Sequence, residues 1–268
     1  MRHIDCKKYA NEILDSVKAV QDKKKLVILS VGDDPASQSY VKGKIKDCEY
    51  CGIPYEHIQL PNEEYSKTEL AWRIAMANNC DFVGGIIVQL PLPEGYDEKL
   101  YTDMVRIDKD VDGFRDNSPF KPCTPEGIMY LLRKEVGDLT GKKALVIGRG
   151  KLVGEPIAKM LLDADCTVTV AHSKTEYLTW HLMNADIIIS AVGKPETVDL
   201  GWCWDADVVI DVGVNRDENG KLCGDCYNFR DYEGEYLKVT PVPNGVGLMT
   251  RAMLMAHVAG LMEPPCGR

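Results

Sequence analysis

Lys143-Ala-Leu-Val-Ile-Gly148-Arg-Gly150-Lys-Leu-Val-Gly154 couples a short, apolar, β-branched run to the start of an amphipathic segment through three glycines. A buried strand that turns at once into a helix leaves the first helical N–H groups without intrahelical partners, and glycine removes the side chains that would hold an anion at a distance. The stretch reads either as a phosphate-cradling loop or as a tight turn that needs glycine for positive φ. Its spacing, with three residues rather than two before the last glycine, departs from the usual dinucleotide fingerprint. The neighbouring segments weigh between the two readings.

Working outward, Val153–Ala164 reads as a helix, Thr167–Ala171 as a strand, Tyr177–Met183 as a helix, and Asp186–Ala191 and Asp207–Asp211 as further strands. The front half repeats the alternation. Asp5 can cap a helix running to about Val20, Leu26–Val31 is a buried strand, and a helix from about Pro35 to Cys51 stops at Gly52. A strand near Tyr55–Leu60 follows, then a helix over Ser66–Asn78 with Ser66 as cap and Glu69 completing a capping box, then a core strand over Phe82–Gln89. Strands alternating with helices imply parallel pairing, with sites at the carboxyl ends of the strands. Between Val105 and Pro122 the acidic, proline-containing sequence has the composition of a linker, and a helix from about Pro125 to Val136 opens the second half. The expected architecture is α/β, with two open α/β lobes and a cleft between them. The first lobe spans 1–115 and is joined by a C-terminal helix over 247–263; the second spans 122–246.

The chain has 268 residues, 45% of them hydrophobic and 27% charged, enough for two cores. No window approaches the roughly 18 apolar residues that a membrane helix needs. A formal charge of −9 with no basic run argues against nucleic-acid or membrane-surface binding, since both are polyanionic, and favours a small-molecule partner. The polar start Met1–Ala10 lacks the apolar centre of a secretory signal, which places the protein in the cytoplasm. In a reducing compartment the ten cysteines are most simply small buried hydrophobes. The pairs Cys48/Cys51 and Cys223/Cys226 have a zinc-like gap, but neither sits in a compact knuckle with a suitably spaced His, and no metal site is expected.

Ser37, Tyr40 and Lys44 share one face of the expected 35–51 helix, putting a hydroxyl, a phenol and an ammonium where they could act on one substrate. Gln89 falls at a strand end before Leu90-Pro91. At the end of the strand after the glycine loop, an NAD site usually keeps a carboxylate for the ribose 2′-hydroxyl; this chain has His172-Ser-Lys-Thr175 instead. Arg149 and Ser173 could hold a 2′-phosphate there, which points to NADP and to a Rossmann-like NAD(P)-binding second lobe.

The blocks Val31-Gly-Asp-Asp-Pro-Ala-Ser-Gln-Ser-Tyr40 with Lys44, Gly85-Ile-Ile-Val-Gln-Leu-Pro-Leu-Pro93, Lys109-Asp-Val-Asp-Gly-Phe114, Pro122-Cys-Thr-Pro125, the Gly148 loop, His172-Ser-Lys-Thr175 and Thr240-Pro-Val-Pro243 leading to Gly245-Val-Gly247 occur in order. Read together, they resemble the bifunctional methylenetetrahydrofolate dehydrogenase/methenyltetrahydrofolate cyclohydrolase family over nearly the whole chain. The resemblance implies a catalytic, folate-binding first lobe, an NADP-binding second lobe, and a homodimer formed by the cofactor lobes. It also implies NADP-dependent oxidation of 5,10-methylenetetrahydrofolate followed by hydrolysis to 10-formyltetrahydrofolate. It makes Lys44 the catalytic lysine, with Tyr40 lining the pterin, Gln89 contacting the lysine and Asp112 hydrogen-bonding the pterin. Ser37, Leu90, Pro91, Gly245 and Gly247 join the folate site, and Thr124, Gly148, Arg149, Gly150, Ser173 and Val214 the cofactor site. Gly150 stands where the family commonly has serine, Asn244 and Leu248 interrupt its usual Gly-Gly-Val-Gly-Pro turn, and the 113–122 connection is shorter.

The chemistry fits those residue types. Adding water to a cationic carbon requires that a proton be removed and later delivered, a task for a lysine in an apolar pocket, and a neutral glutamine orients that lysine without fixing it in an ion pair. Three rivals stand beside this reading. A short-chain dehydrogenase also uses Tyr-x-x-x-Lys, but there the glycine loop precedes the tyrosine. The others are a monofunctional dehydrogenase and a catalytically silent nucleotide-binding regulator on the same scaffold.

Overall fold

The computed structural model describes residues 1–229 and 236–261. Its strands are β1 (Arg2–His3), β2 (Lys25–Val31), β3 (Tyr55–Leu60), β4 (Val83–Val88), β5 (Lys143–Ile147), β6 (Thr167–Ala171), β7 (Ile187–Ser190), β8 (Val198–Asp199), β9 (Val208–Asp211), β10 (Asn215–Arg216), β11 (Leu222–Cys223), β12 (Cys226–Tyr227) and β13 (Lys238–Val239). Its helices are α1 (Cys6–Ala19), α2 (Pro35–Cys51), α3 (Glu64–Asn78), α4 (Glu98–Met104), α5 (Cys123–Glu135), α6 (Gly154–Leu162), α7 (Leu178–Met183) and α8 (Val246–Val258). The last two residues of the expected 247–263 segment lie outside the described residues. The chain divides into two compact units: Asn11–Cys123 with the described residues from Arg251 onward, and Met1–Ala10 with Thr124–Thr250.

In the unit built on Asn11–Cys123 the sheet order is β3-β2-β4, all parallel, with Leu26 opposite both Tyr55 and Gly85. Six of the seven β2 residues are buried, as befits a central strand covered on both faces. Leu29, Leu70, Ile74 and Ile86 belong to one core cluster of this unit. Helix α2 begins with Asp34, whose carboxylate accepts from Ser37 N–H at 2.7 Å, and ends on Gly52 in the left-handed region at φ 66°. The bounds and the stop at Gly52 were readable in the sequence because such signals act locally, whereas the Asp34 cap emerges from the structure.

Helix α3 corrects one expectation. It starts at Glu64, and Ser66 lies within it, fully buried, while Glu69 pairs with Arg73 at 2.7 Å. The backbone bond from Ser66 N–H to Glu63 O, 3.0 Å, closes the first turn before the serine, so no cap is required of its side chain. Helix α4 had no counterpart in the sequence reading: seven residues are too few to display a period, and only Asp97, accepting from Leu100 N–H at 3.1 Å, marks its start.

The other unit holds a sheet in the order β1-β13-β9-β7-β5-β6, every pair parallel. Counted from β5, the five long-range neighbours read 2-1-3-4-5, a doubly wound order whose switch point lies between β5 and β7. Arg2–His3 adds the outermost strand by pairing with Lys238–Val239, which draws the first ten residues into this unit. A two-residue strand carries no periodicity, so nothing in the sequence of the 1–115 segment announced that exchange.

Candidate functional site

Lys44 lies on α2 and is only 4% exposed. Its ammonium sits 5.2 Å from the centre of the Tyr40 ring, the contact expected of residues four apart on one helix face. Among the described residues Nζ makes no hydrogen bond or ion pair, in contrast with buried Lys109, whose Nζ donates to the carbonyls of Ala77, Asn78 and Cys80 at 2.8–3.0 Å. Ser37, on the same face, has a buried hydroxyl that completes no hydrogen bond by distance and angle.

Gln89 follows β4, anchored by its N–H to Leu29 O at 2.8 Å. Its side-chain amide donates to Leu90 O at 2.6 Å rather than engaging Lys44, and its Oε1 is buried without a partner among the described residues. An orphaned amide oxygen of this kind is an acceptor in want of a donor. The Leu90-Pro91 bond is cis. Leu90 is half-buried and Pro91 exposed.

Asp112 is held at a turn by its neighbours. Gly113 adopts φ 72°, and a side chain there would overlap the Lys121 carbonyl, so only glycine allows the two backbone segments to close. The Asp110 carboxylate accepts from Arg115 N–H at 2.9 Å and Phe114 N–H at 3.3 Å; burial pushes its carboxyl up, and those N–H groups oppose the shift. From beneath, His257 lies 2.8 Å from Val111 O through Nδ1.

One charged pair beside Lys44 escaped the sequence reading. Arg251 reaches over Gly43, where any side chain would collide with its guanidinium, and meets Asp47 at 2.8 Å. Burial raises the Asp47 carboxyl and the guanidinium opposes that. A lone arginine in an apolar helix and a glycine in another were the only signals available, and neither names its partner.

Gly148, at φ 107°, leads from β5 to α6, and a Cβ there would overlap the Ala191 carbonyl; one on Gly154 would overlap the Gly148 carbonyl. A Cβ on Gly150 would meet nothing within 4 Å, so the loop presents bare backbone to open space. Helix α6 carries no side-chain cap. Glycines without which the turn cannot close, an uncapped helix start and open space above it fit a pyrophosphate held by backbone N–H groups. Arg149 and Ser173 are both exposed, as is Val214 in the connection after β9. Thr124 Oγ1 lies 2.9 Å from Thr250 Oγ1. Gly245 is buried, with no room for a side chain against Pro241 O, whereas Gly247 is exposed.

Cys48 and Cys51 are buried on α2, their thiols directed to Met255 Sδ and Leu14 O at 3.6 Å each, and Cys226 is buried on β12. Desolvation pushes the Cys48 thiol up to about 12, making it an inert packing group. Among the described residues no group of three or more His, Cys, Asp or Glu is arranged to hold a metal.

Comparison with known proteins agrees with this geometry. Residues 4–112 match the family model for the catalytic domain of tetrahydrofolate dehydrogenase/cyclohydrolase, and residues 122–264 match that for its NAD(P)-binding domain. The bifunctional protein FolD of Anaeromyxobacter dehalogenans is 44% identical over 251 residues, covering 89% of this chain and 87% of that protein. The crystal structure of the bifunctional methylenetetrahydrofolate dehydrogenase/cyclohydrolase FolD from Campylobacter jejuni superposes with a TM-score of 0.89 at 38% identity, covering 98% of each chain. The Trypanosoma brucei enzyme, solved with NADP cofactor and an inhibitor, gives 0.87 at 30% identity over 97% of this chain and 96% of that one.

Proposed function

The chain belongs to the tetrahydrofolate dehydrogenase/cyclohydrolase family, and from that membership we propose how its residues divide two reactions on one folate. The protein is a bifunctional one-carbon enzyme. It oxidises 5,10-methylenetetrahydrofolate to the 5,10-methenyl cation with NADP⁺ and hydrolyses that cation to 10-formyltetrahydrofolate. The observation that carries the assignment of roles is the Lys44 side chain, 4% exposed and held against Tyr40, with no hydrogen bond or ion pair to its Nζ among the described residues.

In the hydrolytic step, water adds its oxygen to the bridge carbon and Lys44, acting as the neutral amine, takes a proton from it. As the C–N5 bond breaks, Lys44 returns that proton to N5, while the proton of the new hydroxyl leaves to solvent as the formyl C=O forms. Tyr40 packs along the pterin and screens the ammonium, and Gln89, through its unpaired Oε1, orients Lys44 or a substrate N–H. Asp112 accepts from the adjacent N–H groups of the pterin ring, a match that one carboxylate on a rigid turn supplies. Ser37, Leu90 and Pro91 line the same folate site.

NADP⁺, when bound, supplies the hydride acceptor for the oxidation. On the protein side, Gly148, Gly150 and the start of α6 meet the pyrophosphate, Arg149 and Ser173 hold the 2′-phosphate, and Thr124 and the Val214 backbone complete the cofactor contacts. The exposed face of Val170 on β6, one of the two edge strands of its sheet, supports assembly of a homodimer through the cofactor-binding unit. Nine described cysteines are free, which supports a reducing, cytoplasmic setting. Purified protein given methylenetetrahydrofolate and NADP⁺ is expected to produce NADPH and the methenyl chromophore together; no turnover with NADP⁺ or NAD⁺ would end this reading.

A further inference from the structure

Three connections form the carboxyl edge of the parallel sheet where a doubly wound fold takes its ligand: the glycine loop after β5, residues 191–194 after β7, and residues 212–214 after β9. The first is shaped by its own glycines. The other two carry no phosphate motif, yet both are fixed by one residue from farther along the chain. Asp225 is 0% exposed. Its Oδ2 accepts from Ser190 Oγ at 2.8 Å, Val192 N–H at 2.9 Å and Gly193 N–H at 3.2 Å, and its Oδ1 accepts from Lys194 N–H and Asn215 Nδ2 at 2.9 Å each.

Resting on the dinucleotide reading above, we propose that Asp225 is the positioning residue of the cofactor site, holding the 191–194 loop and Asn215 in the shape that receives NADP. Three successive N–H groups turned onto one carboxylate fix the loop's peptide planes. Because N–H and the preceding C=O point in opposite directions across a trans peptide, the carbonyls of Ala191, Val192 and Gly193 are turned away from Asp225. The Ala191 carbonyl is the one that crowds Gly148, so the same clamp sets how closely the loop approaches the glycine turn at the β5/β7 switch point. Asn215, held by Oδ1, closes the connection that contains Val214.

Asp225 is itself placed by a second buried carboxylate. Asp211, at the end of β9, accepts from Asp225 N–H and Cys226 N–H at 2.9 Å and from Gly213 N–H at 3.1 Å. Gly213 and Gly224 leave the room: a Cβ on the first would collide with the Asp225 carboxylate, and one on the second with that of Asp211. Burial pushes the Asp211 carboxyl up, a cost opposed by the backbone donors of Asp225 and Cys226. Two buried acids retained at the ligand edge, with glycines cut to fit them, are more than a sheet needs to close.

Asp225→Asn keeps the shape but replaces an acceptor with a donor facing N–H groups. The expected result is at least a tenfold rise in the calorimetric Kd for NADP⁺ and in its KM, with the KM for methylenetetrahydrofolate within about twofold. Amide hydrogen exchange at Val192, Gly193 and Lys194 should accelerate in the cofactor-free protein. Should Asp225→Asn fail to fold, Asn215→Ala removes one bond only and is expected to raise the NADP⁺ Kd several-fold. Unchanged NADP⁺ affinity in a folded Asp225→Asn or in Asn215→Ala overturns the proposal. Wild-type protein that binds neither NADP⁺ nor NAD⁺ would instead remove the cofactor reading beneath it.

Discussion

At the scale of single residues, the proposed chemistry rests on a buried lysine side chain that no described residue pairs. Lys44 was legible because residues four apart on a helix share a face whatever the fold around them, and its contact with Tyr40 follows from that alone. That its Nζ finds no hydrogen-bond partner among the described residues, and that the Gln89 amide turns to Leu90 O instead, depend on what surrounds them in space. Lys44→Met preserves the apolar stem and removes the proton carrier. Hydrolysis of the supplied methenyl substrate is expected to fall by about 10²–10⁴-fold, with the far-ultraviolet circular dichroism unchanged. Retained hydrolysis would assign the proton transfers to another group.

At the scale of elements, local rules decided where α2 begins and ends and misjudged α3. The N–H of Ser37 is the main influence holding the Asp34 carboxyl below its ordinary value of 3.8. Because the folded-state value is the lower one, the cap's contribution is present above the unfolded value and is lost as pH falls through the folded value. Asp34→Ala should therefore lower the melting temperature at pH 7, with the gap from wild type narrowing below about pH 4 in a series of thermal melts. A constant gap would separate the cap from the ionised carboxylate. The strand β4 offers a packing test: a Cβ on Gly85 would lie 2.8 Å from both methyl groups of Val111 and 3.2 Å from Val258. Gly85→Ala is expected to cost about 1–3 kcal/mol in denaturant titrations by overpacking. It should also weaken folate binding, because Val111 precedes Asp112. Ser66 was misread since its pattern with Glu69 satisfies a capping rule, while burial against the core assigned the serine to packing.

At the scale of the whole molecule, two units divide the labour, and ligand linkage reads them separately. NADP⁺ at 100-fold over its Kd should stabilise the protein by about 2.7 kcal/mol, seen as a rise of several degrees in differential scanning calorimetry. Arg149→Ala is expected to lose most of that rise with NADP⁺ while keeping the smaller one with NAD⁺, as the proposed contact of the guanidinium with the 2′-phosphate alone requires. Equal losses with both dinucleotides would refute that role. The N-terminal strand shows the limit of linear reading: Arg2–His3 joins a sheet whose nearest strand is Lys238–Val239, and no local signal carries information over that separation.

By itself the sequence determined the alternation of strands and helices, the glycine turn after β5, the bounds of α2 with its stop at Gly52, and the face shared by Ser37, Tyr40 and Lys44. Each follows from forces acting within a few residues: backbone sterics, capping and the periodic burial of apolar side chains. Only the tertiary structure decided that Arg251 meets Asp47 over Gly43, that Gln89 keeps an unpaired oxygen, and that Asp225 fixes the loops after β7 and β9. Those arrangements come from desolvation. A buried polar group must find its partner wherever the fold brings one, and that partner has no fixed place along the chain.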